Sequence, residues 1–230
     1  MHSWFPGSGR QRIHFLHVGK SGGTAVKHAL KDFLRTPRYT LTLHGHHTSL
    51  AHIPPGQSVI FFLRDPISRF VSGFYSRRRR GAPRRHNDWS RREREVFERF
   101  ATPNDIAGSL ADESSPLHGR AVDAMAVIQH FAPYRRWYVD VEYFLSRLKD
   151  ILFIGFQESM EADFETLKGL LDLPGCVSLP TGDTAAHRNP PGLDTAIGDA
   201  GLAALRDWYA EDLEFIRLCR ELMSARRSAR

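Results

Sequence analysis

Apolar residues arrive in this chain as short runs that alternate with helix-spaced patterns. Ile13 to Val18 is apolar with β-branched ends and runs into a glycine-rich turn, which predicts a buried strand. Thr24 to Phe33 then carries Ala25, Val26, Ala29, Leu30 and Phe33 at helical spacing, so the opening reads strand, loop, helix. Tyr39 to Leu43 predicts a second strand. The run from Ser58 to Leu63 is continuously apolar after its first residue, as a parallel strand covered on both faces is, and it stops at Arg64-Asp65-Pro66. Proline suits a first helical turn, so a helix is expected from Pro66 through Phe70, Val71, Phe74 and Tyr75.

Ser90 and Glu93 have the spacing of a capping box ahead of Val96, Phe97 and Phe100, which predicts an amphipathic helix there. The middle, to about Arg147, reads as helical with breaks near Pro116 and Pro133. Ile151 to Gly155 is a further short strand, followed by a helix through Met160, Phe164, Leu167, Leu170 and Leu171. Pro174 to Asp194 reads as loop and Leu202 to Met223 as one final helix. Strands alternating with helices imply an α/β fold, a single domain with a central parallel sheet flanked by helices. In such sheets ligands gather at the carboxyl ends of strands. The polar loops at Lys20 and Arg64 both fall at such ends.

The chain has 230 residues, enough for one substantial core, so one domain is expected over 12–223, with a tail at 1–11 and a basic tail at 224–230. No run of roughly 18 apolar residues occurs and the first residues lack a secretory pattern, so the expectation is a soluble cytoplasmic protein without a membrane span. Two cysteines without CxxC spacing argue against a disulfide framework or a zinc site, and no metal is expected. The net charge is +6, and the segment Arg77 to Arg99, with ten arginines against four acids, accounts for all of it. Such a patch attracts polyanions: nucleic acid, an acidic glycan or an anionic surface.

The stretch Val18-Gly-Lys20-Ser21-Gly22-Gly23-Thr24 contains the letters of a nucleotide-binding phosphate loop, but that loop needs a glycine at residue 14, where this chain has His14. The glycines instead follow the lysine. Amides freed at a helix start, with Lys20 and the hydroxyls of Ser21 and Thr24, make a cradle for phosphate or sulfate. After the strand ending at Leu63 the first residue is Arg64 and not a magnesium-binding aspartate. Arg64 offers a planar fork for phosphate and Ser72, about two turns on, a directional hydroxyl. Between these segments lie His44, His46 and His47. A neutral imidazole titrating near pH 6.5 can take a proton from an alcohol.

Taken together, His17-Val-Gly-Lys20-Ser-Gly-Gly-Thr24 and the phrase Arg64-Asp-Pro-x-x-Arg69-x-x-Ser72-x-x-Tyr75 resemble the two cofactor motifs of sulfotransferases that use 3′-phosphoadenosine 5′-phosphosulfate (PAPS). The resemblance implies a P-loop-like sulfotransferase fold. It implies that Lys20, Ser21, Gly22, Gly23 and Thr24 face the 5′-phosphosulfate and that Arg64 and Ser72 hold the 3′-phosphate. His44-Gly45-His46 is similar to the catalytic segment of the glycan 2-O-sulfotransferase branch, which points to His46 as base with His44 in support. His187-Arg188-Asn189 resembles the segment that closes over the nucleotide, and Tyr209 to Leu213 the family's last helix. The likeness runs over about residues 12 to 218, but 77 to 133, where an acceptor would be recognised, follows no family pattern.

The expectation is therefore in-line transfer of a sulfuryl group from PAPS to an acceptor hydroxyl on a carbohydrate, such as an acidic glycan, with adenosine 3′,5′-bisphosphate as product. Lys20 would neutralise charge on the bridging oxygen, and Arg77, Arg78, Arg79 and Arg80 would draw in the acceptor. On this reading activity declines below about pH 6.5. Two rivals stay open: a phosphate-loop kinase, disfavoured by His14 and the absent aspartate, and a non-enzymatic nucleic-acid-binding module built on the arginine patch, although no nucleic-acid partner is expected.

Overall fold

A computed structural model describes residues 10–83, 86–182, 190 and 192–228. Among them, four parallel strands form one sheet: β1 (Gln11–Leu16), β2 (Tyr39–Leu43), β3 (Ser58–Leu63) and β4 (Ile151–Phe156), in the order β2-β1-β3-β4. This is the α/β architecture expected. The chain leaves β1 to one side for β2 and returns to the other side for β3, so the crossovers diverge between β1 and β3. Carboxyl ends at such a switch point form a crevice where ligands bind. Pairing sets the strand limits: Gln11 lies opposite Tyr39 and Leu16 opposite Phe61, so β1 starts earlier and ends earlier than the apolar run Ile13 to Val18 suggests.

The described chain gathers into two compact units, residues 10–63 with 134–180 and 225–228, and residues 64–133 with 181–224. The first contains the sheet. Alternation along β3 sends Ile60 and Phe62 into a cluster with Phe15, Val26, Leu30, Phe153, Phe164 and Leu167. That cluster joins the sheet to helices α1 (Gly23–Leu30) and, in chain order, α8 (Met160–Leu171). Phe61 points the other way and meets Phe144 edge-on at 6.4 Å. With both faces covered, β3 and β4 are buried throughout past Ser58, which is why they read as unbroken apolar runs.

The second unit is helical. Helix α2 (Pro66–Arg78) has Pro66 in its first turn and Asp65 as its cap, the carboxylate accepting from the Ser68 amide at 2.7 Å. Helix α3 (Arg91–Arg99) opens with the predicted capping box, Ser90 with Glu93. Helices α4 (Pro103–Ala111) and α5 (His118–Val127) follow, and Phe70, Phe74, Phe97, Phe100, Ile106, Met125 and Phe131 form their common core. Two short helices, α6 (Arg135–Tyr138) and α7 (Val141–Ser146), belong to the first unit.

The expected single final helix is in fact two, α9 (Asp199–Trp208) and α10 (Ala210–Ser228). The division falls at Tyr209, which is 1% exposed and donates its hydroxyl to the Phe131 carbonyl at 2.9 Å. No glycine or proline marks the place, so periodicity runs through it unbroken. Residues 225–228, expected as part of a tail, are the last turn of α10. There Arg226 donates to the carbonyls of Ile151 and Leu148, and Arg227 to Asp163 at 2.7 Å.

Candidate active site

The loop after β1 is shaped by sterics as much as by its glycines' freedom. Gly22 caps α1 with φ of 79°, and a Cβ there would lie 1.9 Å from Met160 Cε. Gly23 has ordinary φ, yet a Cβ on it would sit 2.4 Å from the His17 ring. Lys20 itself takes a left-handed backbone, φ 64°, which costs a non-glycine residue about 1–2 kcal/mol. The loop thus presents Lys20 in a conformation that the surroundings must hold.

The loop offers hydrogen-bond donors at the start of α1. The first amides of α1 receive no side-chain cap, and Ser21 Oγ is buried with no hydrogen-bond partner. Thr24 stands half-buried in the first turn of α1. An orphaned buried hydroxyl beside uncapped amides and an ammonium group fits an anion, and the phosphosulfate end of PAPS is such a group.

The histidine segment is held on both sides. The Lys27 ammonium, on α1, donates to the His44 carbonyl at 2.8 Å, and Trp137 Nε1 donates to the His46 carbonyl at 3.0 Å. Downstream, the buried Arg147 guanidinium spans the carbonyls of Ile53 and Pro54 at 3.0 and 3.2 Å. The His46 ring packs on the His17 ring with centroids 3.9 Å apart, and its Nδ1 is buried without a hydrogen bond. Burial lowers its pKa from 6.5 to about 4. The Lys27 charge adds to this, the His17 main chain opposes it, and His47 and Lys20 add smaller repulsions. His46 is therefore neutral far below the pH expected of a free imidazole, so the threshold near pH 6.5 expected from the sequence does not apply to its ring. His44 is held below its usual range as well, by burial and then by His14, Lys27 and His52.

In this unit, then, Lys20, Ser21, Gly22, Gly23, Thr24, His44 and His46 occur on two neighbouring loops, linked through His17. Sequence reasoning assigned no role to His17 or Lys27. His17 stands inside the quoted motif, and Lys27 lies one helical turn beyond Gly23, but neither advertises its partner.

In the second unit, Arg64 Nε donates to Ser68 Oγ at 2.8 Å, and Ser72 is buried on α2. Arg69, fully buried, grips the carbonyls of His130 and Ala132 and lies 3.7 Å from Asp212, so the second arginine of the phrase is a fold residue. The arginine run is engaged within the same unit. Arg77 pairs with both Glu93 oxygens and donates to the carbonyls of Asn87 and Asp88. Arg78 donates to the Phe100 carbonyl, Arg79 to that of Ala82, and Arg80 meets Asp88 and lies 4.6 Å over the Trp89 ring. His187, Arg188 and Asn189 lie outside the described residues. Among the described residues no group of three His, Cys, Asp or Glu side chains is arranged to hold a metal ion.

The model of the sulfotransferase family matches residues 5–190. The chain belongs to the sulfotransferase family. A match over that span includes the glycine loop, the histidine segment and Arg64 to Tyr75, and stops before α9. The activity of this sulfotransferase is thus transfer of a sulfuryl group. No curated protein matches the chain, and no helix among the described residues is long and apolar enough to cross a membrane.

Proposed function

We propose that this sulfotransferase takes its sulfuryl group from PAPS and delivers it to a hydroxyl of a carbohydrate, with His46 as general base. The observation that carries the reading is His46, a ring kept neutral by burial and two ammonium groups, next to a loop with uncapped amides and a buried, unsatisfied Ser21 hydroxyl. When bound, PAPS supplies a sulfuryl group on a phosphate leaving group.

The chain's own residues then divide the work. His46 accepts the proton of the acceptor hydroxyl, which requires the neutral ring. Lys20 sets a positive charge where negative charge develops, and the α1 amides with Ser21 and Thr24 hold the phosphate end, while Gly22 and Gly23 keep that backbone open. Preorganised donors of this kind are usually the largest contribution to catalysis; loss of one costs on the order of a hundred- to a thousandfold. The family likeness assigns the 3′-phosphate to Arg64 and Ser72, and the nucleotide side to His187, Arg188 and Asn189. Arg77 to Arg80 stand as acceptor contacts for an acidic glycan, and in that role they would exchange some of their present partners. The likeness of His44-Gly45-His46 to the glycan 2-O branch supports a sugar acceptor.

Labelled PAPS offered with heparan-like polysaccharides, small oligosaccharides and phenols tests the acceptor. Sulfation of a sugar is expected, and sulfation of phenols alone would overturn the carbohydrate assignment. His46→Ala should bind adenosine 3′,5′-bisphosphate like wild type yet lose turnover, and equal turnover would sink the base. Arg64→Ala should lose that affinity.

A further inference from the structure

The proposed reaction uses His46 and leaves His44 without a task. The structure gives His44 one. His44 Nε2 lies 2.8 Å from His14 Nδ1, and His14 Nε2 lies 2.6 Å from Gln57 Oε1. The ring centroids are 5.1 Å apart and the planes 16° from parallel, so the rings meet edge to edge, as a hydrogen bond between ring nitrogens requires. An amide oxygen can only accept, so His14 carries its proton on Nε2 and gives it to Gln57. Its Nδ1 is then a lone pair, and His44 must donate from Nε2. Both rings are thereby committed to one tautomer.

His44 is fixed in its main chain too, its amide donating to the Phe15 carbonyl at 3.0 Å and its carbonyl accepting from Lys27. One residue separates it from His46, the exposed Gly45, around which nothing packs within 4 Å of a Cβ position. A glycine hinge transmits position only if its near side is held still.

We propose that Gln57 and His14 are positioning residues: they lock His44 in the Nε2–H tautomer and so hold His46 in place, with His44 acting through His46 and not on substrate. The proposal rests on His46 as the base. It also separates the two histidines of the segment, since the nitrogen of His44 that faces His14 is already spent. Burial, and then the electrostatic influence of His14, Lys27 and His52, disfavours a second proton on it.

The test compares His14→Asn with His14→Leu, side chains of similar size of which only the first keeps an acceptor. Ring ¹⁵N shifts of His44 at pH 8 are expected to show Nε2–H in wild type and His14→Asn, and averaging of both tautomers in His14→Leu. Turnover should fall on the order of tenfold or more in His14→Leu with acceptor KM little changed, and largely survive in His14→Asn. Gln57→Leu, whose change lies farther out, frees His14 to protonate Nδ1 and should drive His44 toward its Nδ1–H form, which keeps the test alive if His14→Leu fails to fold. His44 protonated on Nδ1 in wild type, or equal turnover of the Asn and Leu variants, overturns the proposal. The tautomers are read without substrate, so an active His46→Ala would strike the base assignment alone.

Discussion

The lowered pKa of His46 can be measured directly. The ring is buried against His17 and exposed to the charges of Lys27, His47 and Lys20, and together these move it from 6.5 to about 4. At pH 5 a free imidazole would be only about 3% neutral, whereas one titrating near 4 is about 90% neutral. The assay is a proton-NMR titration of the histidine ring signals in the ligand-free protein, with His46→Gln to assign the resonance. The ligand-free state matters because a bound polyanion would pull the value back up. Between pH 7 and pH 5, where an unperturbed imidazole passes through its transition, the His46 signal should barely move. Lys27→Gln should raise the value without restoring 6.5, because burial is the larger cause. The sign of the linked stability change follows. The unfolded ring takes its proton near 6.5 and the folded ring near 4, so the fold loses stability as pH falls through that window. A His46 signal titrating at or above 6.5 would refute both the burial argument and the claim that the base is held neutral.

Gly22→Ala combines left-handed backbone with a contact at 1.9 Å to Met160, so it should lower the melting temperature and abolish adenosine 3′,5′-bisphosphate binding; Met160→Ala relieves the contact but not the roughly 1–2 kcal/mol of backbone strain. Arg69→Leu removes one side of a buried cluster and should cost about 3–5 kcal/mol in chemical denaturation. Burial opposes ionisation of Glu93, but Arg77 and the Ser90 amide outweigh it and hold its pKa below the usual carboxylate value. Its contribution is therefore present above about pH 4.5 and lost as pH falls further, so the stability gap between wild type and Glu93→Gln should close in acid.

Strand limits at β2 and β3 were legible because flanking turns and pairing partners coincide there with the ends of apolar runs. Asp65 with Pro66, and Ser90 with Glu93, were legible because a cap is a local device, written within four residues. What escaped reading was written at long range. Tyr209 divides the last helix by a bond to Phe131, 78 residues away in the chain. His14 was noticed only as the glycine it is not, since its partners His44 and Gln57 are 30 and 43 residues distant. The arginines at 77 to 80 reveal their charge in sequence but not that Glu93, Asp88 and main-chain carbonyls already engage them. His46 was legible as a residue type, and its acidity was not, because burial and the approach of Lys27 exist only in the fold.

The last turn of α10 bears on the glycine loop, far from it in the sequence. Asp163 accepts from the Phe156 amide and Ser159 hydroxyl at the turn after β4, and also from Arg227 in the last turn of α10. Met160, which limits Gly22, begins the helix that this turn launches. Arg226, beside Arg227, donates to the carbonyls of Leu148 and Ile151 at the start of β4, so both ends of that strand are fastened from one turn of α10. The unit that carries the glycine loop is therefore assembled from three segments far apart in the sequence, residues 10–63, 134–180 and 225–228. Loss of the Arg227 side chain would be felt at the distant loop.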